Sequence, residues 1–179
     1  MNGEVDIVRV QKVLLSIAES IRDILTRHDI PHFIAYGTLI GAVRHKGFIP
    51  WDDDFDFYLF DDSYDYAIDV LRKELPVDMF VEDEYSEPKY FHGWAHVKDL
   101  NSTVYCELFP QDNLYAHHGI SVDLYRTKIV DIKELAKHEY TNRIQYLNRK
   151  LSKGFLSTSQ YSILEDKFKT ECRAIDDEV

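Results

Sequence analysis

The feature that most constrains this chain is the alternation of acidic and aromatic residues in Asp54-Phe55-Asp56-Phe57. Side chains of a β-strand point to opposite faces in turn, so this pattern places both carboxylates on one face and both rings on the other. We therefore predict a strand over residues 54–60. Its acidic face suits a hard cation such as Mg²⁺, which is commonly held by one or two carboxylates together with substrate phosphates. The alternative is a solvated acidic loop, which the interleaved rings disfavour.

A second element lies just upstream, where an apolar run is followed by Gly37-Thr38 and then by another apolar run. This order predicts a strand over residues 32–36, a tight turn and a short helix. Such a turn presents backbone N–H groups and a hydroxyl to an anion, and the glycine lets a phosphate approach the main chain closely. The basic triplet Arg44-His45-Lys46 follows within the same span. The sequence thus combines candidate phosphate-binding groups with candidate metal ligands.

The whole run from Gly37 to Asp56 resembles the hallmark of the LicD family, which also has fukutin-type members. The similarity extends from about Val10 to Tyr125. It implies an α/β (α+β) fold with a nucleotidyltransferase-like mixed sheet flanked by helices. It also implies a metal-dependent phosphotransferase that moves a phospho-alcohol, typically phosphocholine from CDP-choline, onto a hydroxyl of a cell-surface glycan such as lipopolysaccharide or teichoic acid, with release of CMP.

A third acid is expected on a later strand. Residues 120–125 form an apolar run with Asp123 in the middle, and a carboxylate at a core-like position is costly unless it is paired or coordinates a metal. LicD-like chains have an acid at the corresponding place, usually followed by two apolar residues and a proline, whereas Tyr125-Arg126 stands here. We expect Asp54, Asp56 and Asp123 to hold Mg²⁺ or Mn²⁺, with Asp123 also available as a base toward the acceptor hydroxyl.

The expected substrate-binding residues are those able to contact phosphate. They lie at the Gly-Thr turn and in the basic triplet that follows the predicted short helix: Gly37, Thr38, Arg44, His45 and Lys46. The last two could contact a phosphate or the leaving group, or merely shape the loop.

Residues 90–109 are predicted to form a hairpin with its turn at Asn101-Ser102. Lys98 stands on the first arm, a few residues before a threonine as in LicD-like proteins, and could neutralise a diphosphate or be an ordinary surface lysine. The aromatic residues of this arm could line a base or choline pocket or simply pack: His92, Trp94 and His96.

The remaining elements are predicted from periodicity and helix-capping residues. They are a helix over residues 5–28, a helix capped by Asp61-Asp62-Ser63, a strand over 77–82 and two C-terminal helices separated by Gly154. We expect one domain over 1–179, with a core at about 5–128 and a helical hairpin at about 131–175. Phe48 and Trp51 are expected to pack the loop before the acidic strand.

Composition limits the partners. The formal net charge of −11 argues against nucleic acid, although a nucleotide needs only a local basic cluster. No apolar run is long enough to cross a bilayer and the first six residues do not resemble a signal peptide, so we expect a cytoplasmic protein, compatible with peripheral association with glycan-assembly machinery. Cys106 and Cys172 are expected to be reduced.

Two alternatives to phospho-alcohol transfer stay open at this point. One is transfer of a nucleoside monophosphate with release of pyrophosphate, and the other is an inactive binding module of the same fold. LicD-like chains usually continue beyond this length, so the sequence is either a minimal version or a truncated one.

Overall fold

A five-stranded mixed sheet organises the computed structural model, which describes residues 6–178 and their side chains as far as residue 173. The strands are β1 (His32–Ile34), β2 (Asp56–Phe60), β3 (Met79–Glu82), β4 (Ala95–Asp99) and β5 (Ser121–Thr127). They lie in the order β1-β2-β5-β4-β3. β2 and β5 are parallel, whereas the other neighbours are antiparallel. The predicted mixed sheet of an α+β fold is confirmed.

Five helices accompany the sheet: α1 (Ile7–Arg27), α2 (Tyr36–His45), α3 (Asp61–Glu74), α4 (Leu135–Ser152) and α5 (Thr158–Glu178). α1 begins after Asp6, whose carboxylate accepts a hydrogen bond from the backbone N–H of Arg9. The predicted cap of α3 is wrong, because Phe60 is the capping residue and makes no side-chain hydrogen bond. Two of the predicted capping acids instead lie in the first turn, where the helix dipole favours negative charge.

The core lies between one face of the sheet and the helices α1 and α3. Alternate residues of β2 and β5 face it, and the buried side of α1 packs against them; the most deeply buried members include Leu14, Ile21, Leu25, Leu59, Leu71, Val122 and Leu124. Burial of each such side chain contributes roughly 1.5–3 kcal/mol. Because side chains alternate along a strand, the residues between these core positions project from the opposite face of the sheet.

The chain divides into two compact units. One contains the residues up to Pro88 together with Trp94–Thr127, and therefore the whole sheet. The other contains Lys89–Gly93 and the residues from Lys128 onward, including the hairpin of α4 and α5. Gly154, with φ of 77°, lies between these two helices as predicted. The expectation of a single domain over 1–179 stays a prediction.

Several predicted boundaries change. The second arm of the hairpin is wrong, because residues 103–109 form no strand and β4 pairs with β3 and β5 instead. Both edges of β4 are therefore occupied, and a Cβ at Gly119 would lie 1.7 Å from the carbonyl oxygen of Asp99, which shows how closely the chain entering β5 approaches β4. The first strand ends at Ile34 rather than at residue 36, and β3 begins at Met79 rather than at residue 77.

The loop before β2 is only partly packed. Phe48 contacts Phe55 and the core, as expected. Trp51 is 75% exposed, so its predicted packing role is wrong. Within the described part of the chain, no helix combines the length and apolar character that crossing a bilayer requires.

Candidate active site

The parallel pairing of β2 with β5 brings two of the predicted acids together. Asp56 and Asp123 are direct neighbours in the register, and the backbone N–H of Asp123 donates to the carbonyl oxygen of Phe55 at 2.9 Å. Their strand neighbours Phe57 and Leu124 are buried in the core, so both carboxylates project from the other face. Residues far apart in sequence thereby meet on one surface.

Asp54 reaches this surface without being part of the strand. β2 begins at Asp56, so the predicted strand over 54–60 is too long by two residues and strand alternation does not position Asp54. Its carboxyl nevertheless interacts with the cluster. Desolvation first, and then the charge and hydrogen bond of Asp52, raise the pKa of Asp54 to about 6.

Asp56 shows the same effect more strongly. Burial first, followed by the negative charges of Asp54, Asp123 and Asp52, raises the pKa of Asp56 to about 7. Among the described residues, no lysine, arginine or histidine forms an ion pair with the acids at positions 52, 54 or 56. The cluster therefore carries negative charge that the described residues leave uncompensated.

Asp52 is a member of the cluster that sequence reasoning missed. Its Oδ2 atom is buried and accepts no hydrogen bond, and a Cβ at Gly37 would lie 3.0 Å from it. The carboxylate thus lies against the first turn of α2, where the helix dipole favours an anion. The side-chain amide of Gln11 holds this loop by donating to the carbonyl oxygens of Ile49 and Asp52 at 3.1 and 2.9 Å. The alternation of acids at 52, 54 and 56 could have revealed it.

Gly37 and Thr38 occupy the first turn of α2 rather than a separate tight turn. The Thr38 hydroxyl accepts a hydrogen bond from the backbone N–H of Asp56 at 3.0 Å, so it fixes β2 against the helix. The basic triplet lies at the other end of α2, roughly 10 Å away at 1.5 Å per residue. The structure therefore separates the predicted phosphate contacts into two groups at opposite ends of one helix.

Asp123 has donors on several sides. Its Oδ2 accepts hydrogen bonds from Trp94 Nε1 at 2.9 Å and from the Tyr125 hydroxyl at 3.1 Å. Burial and the negative charges of Asp123 and Asp56 raise the pKa of Tyr125, which keeps its hydroxyl protonated and able to donate. His96 Nε2 lies 3.5 Å from the Asp123 Oδ1 atom. These contacts fix the orientation of the Asp123 carboxylate.

The contacts of His96 continue across the sheet. Its Nδ1 lies 3.6 Å from Glu82 Oε2, and Lys98 Nζ lies 2.6 Å from the same oxygen. Lys98 is only 5% exposed and also donates to the carbonyl oxygen of His117 at 2.8 Å. It is therefore not a surface lysine. Its contacts are structural, and the prediction that it neutralises a diphosphate stays a prediction.

The chemistry of the candidate ligand atoms determines whether a metal ion fits this site. All candidate ligands are carboxylate oxygens, the chemistry that Mg²⁺ and Mn²⁺ prefer, and mutual repulsion of the acids is what a cation would relieve. In the described residues, no three His, Cys, Asp or Glu side chains are arranged to hold one ion together. Mg²⁺ is often held by only one or two carboxylates plus substrate phosphates, so the set fits a metal shared with substrate. The three-acid ligand set stays a prediction.

Comparison with known proteins identifies the family of the segment that carries most of these residues. The family model for the LicD/FKTN/FKRP nucleotidyltransferase domain matches residues 29–122, just over half of the chain. This segment contains α2, the acidic loop, β2 and the entry into β5 up to the residue before Asp123.

Among curated proteins, the lipopolysaccharide cholinephosphotransferase LicD of Haemophilus influenzae is 47% identical over 64 residues, which cover 36% of this chain and 24% of that protein. An uncharacterised protein of Rickettsia prowazekii is 26% identical over 140 residues, covering 76% of this chain and 53% of the relative. The chain thus spans at most about half the length of these relatives. No solved structure matches it. Because the family model covers more than half of its residues, the chain belongs to the LicD family.

Proposed function

We propose that this protein is a metal-dependent phosphotransferase that moves a phospho-alcohol, with phosphocholine as the first candidate, from a CDP-alcohol to a hydroxyl of a glycan. The observation that carries this proposal is the acid cluster without an ion-pair partner among the described residues, in which burial first and then the neighbouring carboxylates raise the pKa of Asp56 to about 7. Perturbed acids of this kind are typical of sites that bind a cation or perform proton transfer. The name of the Haemophilus influenzae relative supplies the candidate alcohol and the glycan class.

In this proposal, Asp54 and Asp56 hold Mg²⁺ or Mn²⁺ together with the diphosphate of the donor. When bound, the metal would neutralise charge on the transferred phosphoryl group. The backbone at Gly37 and Thr38 lies at the positive end of α2 and would orient a phosphate, and the exposed side chains of Arg44, His45 and Lys46 would provide further phosphate contacts.

Asp123 has a separate role. The acceptor hydroxyl oxygen attacks the phosphorus atom that bears the alcohol, the bond from that phosphorus to the CMP oxygen breaks, and the hydroxyl proton passes to the Asp123 carboxylate. The donors Trp94 and Tyr125 hold Oδ2, and Oδ1, which His96 Nε2 approaches to 3.5 Å, is the oxygen that would accept the proton. CMP is the leaving group.

A second candidate is nucleotidyl transfer, which the fold also accommodates and which would release pyrophosphate. The family domain is named for that activity, and this is the observation that favours it. A binding module without turnover is the third reading, and loss of one acid would favour it, but Asp54, Asp56 and Asp123 are all present.

Product analysis tests the proposal. The full chain is incubated with Mg²⁺ or Mn²⁺, a glycan acceptor and either CDP-choline, CDP-glycerol, CDP-ribitol or a nucleoside triphosphate. We expect CMP from a CDP-alcohol, reduced by orders of magnitude in Asp54→Asn and unchanged in the exposed matched control Asp69→Asn. Pyrophosphate from a triphosphate would instead establish nucleotidyl transfer, and no product from any donor would favour the binding module.

A further inference from the structure

The helix α2 turns its largest apolar side chains toward solvent. Leu39, Ile40 and Val43 are 46%, 51% and 67% exposed. The buried residues of this helix are instead Thr38 and Gly41, so its inner side is small and partly polar. An ordinary surface helix has the reverse arrangement, with its apolar stripe against the core. The packing of a single chain therefore does not explain the apolar outer side of α2.

The exposed apolar residues of α2 form one narrow stripe. An α-helix turns by about 100° per residue, so Tyr36, Leu39, Ile40 and Val43 lie within an arc of about 100° around its axis. Tyr36, at the start of the helix, is 54% exposed as well. Arg44 lies about 40° beyond the edge of this arc. We call the four apolar residues the α2 stripe.

The two ends of the stripe carry opposite charges. The basic triplet of residues 44–46 ends the helix, is exposed, and forms no ion pair with a carboxylate among the described residues. At the first turn, the Asp52 carboxylate lies against Gly37, and the exposed Asp53 follows it in the chain. These two acids likewise have no ion-pair partner in the described part of the chain. One chain therefore leaves both charges uncompensated, one at each end of a helix of ten residues.

A second copy of the chain has the surface that this pattern requires. In a two-fold symmetric dimer the same patch of both subunits meets, so the two α2 helices run antiparallel when the axis crosses the α2 stripe at a right angle. The apolar side chains of one stripe then lie on those of the other. The basic end of each helix lies beside the acidic first turn of its partner, and opposite charges attract at both ends of the contact.

The same pairing brings basic side chains to the proposed phosphate site. Within one chain, the basic triplet lies at the far end of α2, roughly 10 Å from Gly37 and Thr38 at 1.5 Å per residue. In the antiparallel pair, the triplet of the second copy lies at that first turn instead. The charges that one chain separates would thus meet in the dimer, near the groups assigned to the donor diphosphate.

We propose that this chain forms a two-fold dimer through the α2 stripe, in which Arg44 and Lys46 of each copy reach the active site of the other. The dimer itself is independent of the proposed function. The role of these two side chains as phosphate contacts in the neighbouring site rests on that function.

The contact should be weak and reversible. Stable protein complexes bury about 800 Å² of each partner, and a few partly exposed side chains supply less than that. We therefore expect a dissociation constant on the order of 10 µM at physiological salt. It should rise several-fold at about 0.5 M salt, because salt screens the attraction between exposed charges.

Sedimentation velocity of the full chain tests the dimer without any substrate. Between about 1 and about 200 µM, the parent should pass from monomer to dimer. Val43→Asp places a charge in the α2 stripe at an exposed position, so the fold should be kept while the dimer dissociates at least about tenfold more easily. Val77→Asp, at a valine that is 99% exposed outside the stripe, should behave as the parent does. A parent that remains monomeric at about 200 µM, or equal association of the two variants, would overturn the inference.

Exchanging the charges tests the antiparallel arrangement. Lys46→Glu and Asp53→Lys each place like charges opposite one another in their own dimers, so each variant alone should associate at least about tenfold more weakly than the parent. In a mixed dimer the new glutamate faces the new lysine, and the unchanged aspartate faces the unchanged lysine. We expect the mixture to recover association to within about threefold of the parent. No recovery in the mixture would contradict the antiparallel arrangement.

A complementation assay tests whether the basic residues act in the neighbouring site. Arg44→Ala and Asp56→Asn should each release CMP from CDP-choline at least about tenfold more slowly than the parent. In a mixed dimer, the site that retains Asp56 receives Arg44 from the other copy. Half of the dimers in an equal mixture are mixed and each has one intact site of two, so we expect about a quarter of the parent's rate at about 200 µM. If Arg44 serves its own chain, the mixture gives only the average of the two separate rates, and the inference is overturned.

Two outcomes separate this inference from the proposed function. If the parent dimerises through the α2 stripe but releases no CMP from any donor, the proposed function is wrong and the dimer stands. If CMP is released by a chain that remains monomeric, the dimer is wrong and the function stands. Binding of the monomer to vesicles of phosphatidylglycerol and phosphatidylcholine, lost in Val43→Asp, would assign the α2 stripe to a lipid surface and likewise overturn the dimer.

Discussion

The polar face of the sheet carries acids in two different settings, and each setting includes a buried one, Asp56 or Glu82. On the side of β2, which we call the acid half, Asp52, Asp54 and Asp56 have one another as neighbours, and the pKa values of Asp54 and Asp56 are raised to about 6 and 7. On the side of β3 and β4, the paired half, Glu82 lies 2.6 Å from Lys98 and near His96. Both halves bury carboxylates, and only the paired half supplies its own cations.

This difference separates a structural acid from a functional one. A buried charge is costly unless it is paired, and Lys98 Nζ, 2.6 Å from Glu82 Oε2, compensates the charge of Glu82 without any ligand, although neither Glu82 oxygen accepts a well-aligned hydrogen bond. Among the described residues, no cation compensates the charge of the acid half, and an external cation would do so. Asp123 lies between the two, opposite His96 on one side and Asp56 on the other. Charge compensation, rather than the number of acids, thus identifies the site.

The largest effect should follow from neutralising one acid of the acid half. Asp56→Asn keeps the size of the side chain and removes a charge from the proposed metal site, so we expect transfer to fall by about 10³-fold or more. Stability without metal should be equal or higher, because one source of repulsion is gone. Initial rates of CMP release and thermal melting measure the two quantities. Undiminished turnover would place Asp56 outside the metal site.

The next largest effect should come from breaking the pair in the paired half. Glu82→Gln or Lys98→Met leaves an uncompensated buried group, and we expect each to destabilise the protein by about 3–5 kcal/mol. The double variant should lose much less than the sum of the two, because neither charge then remains. Urea unfolding of the four proteins gives the coupling free energy. Additive losses would contradict the description of this half as an internally compensated pair.

The sequence predicted the acid half better than the paired half, and the reason is physical. Asp54 and Asp56 are separated by one residue and Asp123 interrupts an apolar strand, so local patterns reveal these three acids. The pairing of Glu82 with Lys98 depends on the register of β3 with β4, which no local pattern fixes. The hairpin prediction failed for the same reason, since the partner of β4 is β5 rather than the segment that directly follows.

The repeated order of acid, apolar residue and tyrosine in β2 and β5 lies between these cases. It is visible in the sequence, but only the parallel register of the two strands brings its members side by side. Neither the positive φ of Tyr36 nor the buried Oδ2 of Asp52 could be read from residue types. Both depend on how the loop and α2 meet.

A smaller effect should appear in the pH dependence of stability. The raised pKa values of Asp54 and Asp56 mean that the folded state binds more protons than the unfolded state between about pH 4 and 7, so stability is fully present at the acidic end and falls as pH rises through about 7. Without divalent ions, we expect the Tm to drop by a few degrees between pH 5 and 8.

The acid half should be responsible for that drop. In Asp56→Asn the decrease should be clearly smaller, and in the parent Mg²⁺ with CDP-choline should remove most of it by favouring the ionised acids. Subtracting the variant's curve from the parent's removes the contribution of the histidines, which both proteins share. Identical curves for the two proteins would mean that the acids do not repel one another in solution.

The smallest effect should come from Trp51, although it directly precedes the acid half. Its side chain is 75% exposed, and the loop is instead held by the Gln11 amide on the backbone at Ile49 and Asp52 and by the contact of Phe48 with Phe55. Exposed substitutions away from such contacts usually change stability by less than about 0.5 kcal/mol, and we expect this of Trp51→Ala. Phe48→Ala should cost several times more because it removes partly buried apolar surface. Equal losses in urea unfolding would mean that Trp51 packs in solution and helps to hold the acids in place.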